Sequence, residues 1–140
     1  MTKLASPMLV YRVQGADGRG PWRPGLSRYW SDPYANKTQA DVVTAFGLEW
    51  KKEIPKGWHC GCACRSFYEL LEWFTPPERH RLDAMGYKPA AMYADRIIRE
   101  DKDQVLFARR LPLSEAAVVI EWHGQRLIES LKSLKEPSVA

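Results

Sequence analysis

Ser66-Phe67-Tyr68-Glu69-Leu70-Leu71-Glu72-Trp73-Phe74 and the Thr75-Pro76-Pro77-Glu78 that follows it start two helices in succession. In the first, the Ser66 side chain can satisfy one free backbone N–H while Glu69 reaches back to another, a capping box. Phe67, Leu70, Leu71 and Phe74 recur at helical spacing, so 67–74 is predicted as an amphipathic helix. Thr75 and Glu78 repeat the device, with Pro76 at the first helical position, where its missing N–H costs nothing. The second helix is predicted over 76–85, with Gly86 as a left-handed cap.

Strand signals flank this helical pair. Upstream, Met8-Leu9-Val10-Tyr11-Arg12-Val13-Gln14 is rich in β-branched and aromatic residues and stops at Gly15. A period of two puts Leu9, Tyr11 and Val13 on one face and Val10, Arg12 and Gln14 on the other. Residues 15–36 carry Gly15, Gly18, Gly20, Pro21, Pro24, Gly25 and Pro33, which forbids regular structure over a long loop. Asp41–Trp50 reads as a short helix weakened by Gly47 and the Lys51–Lys52 pair, and 37–64 stays open as a whole.

Downstream, strand-like segments recur at Tyr87–Ala94 and Gln104–Arg109, separated by Ile97–Ile98 and the charged turn Glu100-Asp101-Lys102-Asp103. Pro89 makes the first of these an edge strand or a late-starting one. Ser114–Trp122 is ambiguous, because Val118-Val119-Ile120 prefer a strand while their neighbours suit a helix. Gln125–Lys135 is predicted helical, with Leu127, Ile128, Leu131 and Leu134 on one side, able either to close the core or to join two copies.

Strands, then helices, then strands in uneven order define an α+β fold. The expectation is a single small domain over 1–140, with a mixed or antiparallel sheet and helices at about 67–74, 76–85 and 125–135. Its core candidates are Leu9, Tyr11, Leu70, Leu71, Phe74, Leu82, Met92, Val105, Phe107 and Leu131.

Composition agrees with that size. The chain has 140 residues, 45% hydrophobic and 27% charged, which excludes wholesale disorder. No stretch approaches the ~20 apolar residues of a membrane span, and Met1–Val10, interrupted by Pro7, is too weak for a secretory signal. The net charge is +4, far from the footprint of a dedicated nucleic-acid binder. Residues 1–36 nevertheless hold five basic side chains against two acidic ones. Six Trp and six Tyr are many for this length. Arg19, Trp22, Arg23, Arg28, Tyr29 and Trp30, with Tyr34, cluster in the 15–36 loop and form the candidate binding surface. A basic aromatic surface of this kind can hold a phosphate or a nucleotide, or pack down as a solvated loop.

The cysteines lie in one hexapeptide, His59-Cys60-Gly61-Cys62-Ala63-Cys64. A disulfide framework spreads its cysteines along the chain, so a reducing cytosol fits better. Thiolate and imidazole are zinc donors in kind, which makes His59, Cys60, Cys62 and Cys64 the metal candidates. Their spacing argues against a site made by these residues alone, since structural zinc draws Cys pairs from two segments. A fourth ligand would come from His80, His123 or a carboxylate. Small buried cysteines ahead of a helix are the simpler reading, with a redox or reactive role as the remaining alternative, and Cys64, nearest the Ser66 cap, is the thiol expected to have a lowered pKa. Nucleophile-elbow, metalloprotease and phosphate-loop motifs are absent. Gly18-x-Gly20 runs into Pro21 and is a turn signal. His80 and His123 read as surface residues.

Several short elements together carry a resemblance. Tyr11-Arg12-Val13, Gly18-x-Gly20-Pro21, Ser66-x-x-x-Leu70 with Trp73-Phe74, Gly86-Tyr87 and Gln104-Val105-x-Phe107 make residues 8–110 similar to small accessory proteins of tailed phages and prophages. That resemblance implies a protein of the bacterial host cytoplasm that binds a host protein or nucleoprotein complex, such as an anti-defence inhibitor of the anti-CRISPR type. A second resemblance, to ADP-ribosyltransferase-like folds, implies an NAD-using enzyme. There Arg12 matches a first-strand phosphate-binding arginine, Ser66 the supporting serine, and Gln104 the start of the late acidic motif. Gln104-Val105-Leu106 stands where that family has Glu-x-Glu or Gln-x-Glu. The missing glutamate removes the carboxylate that would stabilise a positively charged transition state. Neither NAD nor zinc is the favoured expectation, and the oligomeric state is left open.

Overall fold

In the computed structural model, residues 2–22, 25–32 and 45–122 are described. Five antiparallel strands form one sheet: β1 (Thr2–Gln14), β2 (His59–Ala63), β3 (Lys88–Glu100), β4 (Val105–Arg109) and β5 (Val118–Val119). Their order is β1-β3-β4-β2, with β5 on β3. The ends of this ribbon meet. Tyr11 of β1 and Cys64, just after β2, exchange backbone hydrogen bonds of 3.0 and 2.7 Å, so the sheet curls until its first and last strands touch. The fold is therefore α+β, as expected.

The curl depends on β3, which is long enough to serve two sets of partners. Its first half pairs with β1, from Gln14↔Lys88 to Met8↔Ala94 and on to Thr2↔Ile97. Its second half pairs with β4, with a register shift between Ile97 and Arg99 that bends the strand. The strand-like signal Tyr87–Ala94 ends short of Asp95 and Arg96, with Ile97–Ile98 set apart, whereas the strand runs through to Glu100. The two charged residues belong to the strand and each is engaged: Asp95 accepts from the Arg110 backbone N–H at 2.8 Å, and the Arg96 guanidinium lies 4.7 Å from the Trp58 ring centre. Pro89 is the second residue of the strand, so β3 starts late, as one of the two readings had it.

Alternation along the strands gives the curled sheet an inside and an outside. Val10, Ala63, Ala90, Met92, Ala94, Ile97, Val105 and Phe107 fill the inside. Small residues opposite Phe107 and Met92 let a four-stranded curl close without overpacking. Outside β1, Tyr11 and Val13 meet α1 (Phe67–Glu72) and α2 (Pro76–Ala84) through Phe67, Leu70, Phe74 and Leu82. Burying each such side chain contributes about 1.5–3 kcal/mol. A third cluster covers Ile98, Leu106 and Ala108 with Trp50, Phe46, Ile54 and Trp58.

Both helices start where their caps require. The Ser66 hydroxyl accepts from the Glu69 N–H, and the Thr75–Glu78 capping box is complete. Gly86, at φ +85°, follows α2 in the left-handed conformation that a side chain resists. Of the expected core, Leu9 and Leu71 are only half-buried and Leu131 lies outside the described residues. The Asp41–Trp50 helix is reduced, within the described part, to residues 45–46 before Gly47, with a 3-10 turn over Glu49–Glu53. The open 37–64 segment supplies a whole strand, β2. Ser114–Trp122 yields the two-residue β5. The predicted 125–135 helix and His123 lie outside the described residues.

Candidate functional site

The 15–32 segment is tied to the helical face rather than splayed into solvent. Gly15 N–H donates to Arg19 C=O at 2.9 Å, and the Arg19 N–H to Asp17 Oδ1 at 3.0 Å, closing a turn after β1. Trp30 is fully buried; its indole N–H donates to Pro21 C=O at 3.1 Å, and its own C=O accepts from Arg81 at 2.9 Å. Glu78 holds the far end. One of its oxygens caps α2 at Thr75 N, and the other accepts the Asp32 N–H, each at 2.8 Å. Trp30 is thus a correction to the expected binding surface, because its ring is wedged between Trp22 and Phe74 with centres 4.6 and 5.5 Å away.

Above it, Trp22 is 48% exposed and Tyr29 60% exposed. Trp22 also stacks on Phe74 at 6.0 Å. The Arg28 guanidinium sits 4.8 Å over the Tyr29 ring and donates to its hydroxyl at 2.8 Å. Arg19 is exposed beside Asp17, and Arg23 lies outside the described residues. Trp22, Arg28 and Tyr29 are therefore presented on a segment that a buried Trp, a buried Glu and Arg81 hold in place.

Arg12 is not on that surface. It points with Val10 and Gln14 to the inside of the curl and is 9% exposed. Its Nη1 occupies the space a side chain at Gly61 would need: a Cβ there would fall 1.8 Å away. Nη2 reaches past Gly20, whose Cβ would lie 3.2 Å off. The buried Nε and Nη1 have no hydrogen-bond partner. Burial, with the positive charge of Arg109 adding to it, brings the guanidinium down to about 10 despite the nearby Cys62 and Cys60. Two residues along the same face, Gln14 donates from Nε2 to Leu113 C=O at 2.9 Å, while its Oε1 is buried and unbonded. Arg109 ends β4 and donates to the carbonyls of Leu111, Pro112 and Glu115, so the turn after β4 is roped over this end of the curl.

The cysteine run forms β2 and the bridge after it; alternation puts the three thiols on one face, and what packs on that face at each position sets their burial. Cys60 is exposed, Cys62 half-buried beneath Trp58, and Cys64 buried in the helical core. Among the described residues no group of three or more His, Cys, Asp or Glu converges on a point where an ion could sit. The expected low pKa of Cys64 is overturned. Burial pushes that thiol up to about 12, with Glu69 adding to it, and burial pushes Cys62 up to about 11.

Arg12, Ser66 and Gln104 are not drawn together. Ser66 Oγ is engaged as the α1 cap. Gln104 is buried just ahead of β4, whose five residues separate it by roughly 17 Å from Arg109, the end near Arg12. Gln14, Gly61, Glu78 and Arg109 are not among the site residues expected from the sequence, Glu78 entering there only as a helix cap. Gln14 alone had a signal, its place two residues from Arg12 on one face.

These features define a small α+β protein with a curled antiparallel sheet, a mounted aromatic–arginine surface and an arginine enclosed at one end of the curl. No helix among the described residues is long and apolar enough to cross a membrane. Residues 8–121 match the family described as Bacteriophage T4 Y00F protein, and the chain belongs to that phage protein family. The match takes in most of β1, the 15–32 segment, both helices and the rest of the sheet. No curated protein and no solved structure matches the chain.

Proposed function

We propose that this phage protein is an accessory factor that works by docking on a host protein in the host cytoplasm, with Trp22, Arg28 and Tyr29 as the centre of the contact. The observation carrying this reading is that two large aromatic rings stay exposed on a segment pinned by Trp30, Glu78 and Arg81. Aromatic and arginine side chains concentrate binding energy, and a segment already ordered loses little entropy on association. In its most specific form the reading is inhibition of a host defence complex; the family membership itself supports a phage accessory protein generally. A photo-crosslinking amino acid at position 29, in protein expressed in the host, tests it. The expected result is one discrete adduct with a host protein, lost when Trp22→Ala is added. Adducts spread over many abundant proteins, unchanged by Trp22→Ala, would contradict it.

A further inference from the structure

The inside of the curl should be apolar throughout, yet it ends in an arginine with no counter-charge bonded to it. Arg12 is 9% exposed, and the two buried nitrogens of its guanidinium make no hydrogen bond. A buried cation without partners is among the costliest arrangements a fold can hold. The charge of Arg109, which bears on it, is of the same sign. The space is kept for it nonetheless: Gly61 and Gly20 supply backbone where any side chain would collide with or crowd the guanidinium. Gln14 Oε1, on the same face, is a buried acceptor with nothing donating to it, and its orientation is fixed because Nε2 is engaged by Leu113.

We propose that this end of the curl is a binding site for a hydrogen-phosphate group, free or as a phosphomonoester, with Arg12 donating to its oxygens and Gln14 Oε1 accepting its proton. The planar guanidinium fork matches two oxygens of a tetrahedral oxyanion. The unbonded acceptor beside it selects among oxyanions. A carboxylate or a sulfate is acceptor only and leaves Gln14 unsatisfied, whereas a phosphate group retaining one proton answers both residues. Arg109 adds positive charge and ties down the turn carrying Leu113, which closes over the site. This site is separate from the Trp22–Tyr29 surface and does not depend on it.

The test is thermal unfolding of the full chain in potassium phosphate, phenyl phosphate, potassium sulfate and potassium chloride at matched ionic strength and a pH near 6. Alongside it runs a phosphate titration read at the Arg12 Nε–H resonance, assigned with Arg12→Lys. Phosphate and phenyl phosphate are expected to raise the midpoint saturably, and sulfate to bind at least tenfold more weakly. The tighter of the two phosphates tells whether the site takes the free ion or a monoester. Arg12→Met should fold and lose the phosphate-specific increment. An increment equal in sulfate or chloride, or retained in Arg12→Met, overturns the proposal. Should Arg12→Met not fold, an Arg12 Nε–H signal unmoved by saturating phosphate overturns it equally.

Discussion

Gly61 and Arg12 occupy one space between them, and that makes a prediction about both. Gly61→Ala places a carbon 1.8 Å from Arg12 Nη1, with Arg12 Cζ and Leu113 Cδ1 at 3.1 and 3.3 Å. Such overpacking costs about 1–3 kcal/mol. In an Arg12→Met background most of that cost should vanish, since the longer branched head is gone. A double-mutant cycle by denaturant unfolding measures the coupling, and an equal cost in both backgrounds would contradict the packing. The charge has a consequence of its own. The folded pKa of Arg12 lies near 10, below its ordinary range, because burial disfavours the charged form. The penalty is therefore fully present at every pH below about 10 and relieved only as pH rises beyond it, on the order of 3 kcal/mol at neutral pH. In chloride, Arg12→Met is expected to be at least as stable as the wild type. The thiols run the other way. Cys62 and Cys64, raised to about 11 and about 12, hold about 100-fold less thiolate than ordinary cysteines, or less still, so Cys60 should alkylate first at pH 8. Peptide mass spectrometry reads the order, and early modification of Cys64 would contradict its burial.

At the scale of elements, α2 does two jobs through one side chain. Glu78 is fully buried, capping its own helix and holding the Asp32 N–H. Glu78→Ala leaves both donors unsatisfied and should cost about 1–3 kcal/mol. Hydrogen exchange should quicken at Tyr29, Trp30 and Ser31, whose N–H groups bond back to Leu26 and Ser27. Protection of those amides unchanged in the variant would show that the segment is held by something else. The helices were legible in the sequence because caps and 3.6-residue spacing are local signals, and 67–74 and 76–85 fall on α1 and α2 with boundaries differing by one or two residues. β2 was not legible: alternating Cys with Gly and Ala has little strand preference, and only pairing with β4 makes it a strand. The β3 signal stops at Ala94 for a similar reason, since pairing with β4 is what carries the strand on to Glu100. Trp30 was misplaced because a tryptophan in a Gly/Pro loop gives no hint of what it will pack under. Arg12 reads as a strand residue on the face opposite the core candidates Leu9 and Tyr11, and its enclosure depends on Gly61, 49 residues further along.

The described residues combine three core clusters with the exposed Trp22, Arg28 and Tyr29, in a chain that belongs to a phage protein family. The core leaves Leu48 and Val119 as exposed apolar residues on other segments, and these serve as controls for the central claim that the protein acts through Trp22, Arg28 and Tyr29. The decisive measurement is the affinity of the purified chain for the host protein crosslinked at position 29, by titration calorimetry, for the wild type and four variants. Trp22→Ala and Tyr29→Ala are each predicted to weaken binding by 2 kcal/mol or more, about 30-fold, as buried aromatic anchors do. Leu48→Ser and Val119→Ser should leave it within about twofold. Equal, small effects from all four would contradict the account and place the contact elsewhere on the molecule.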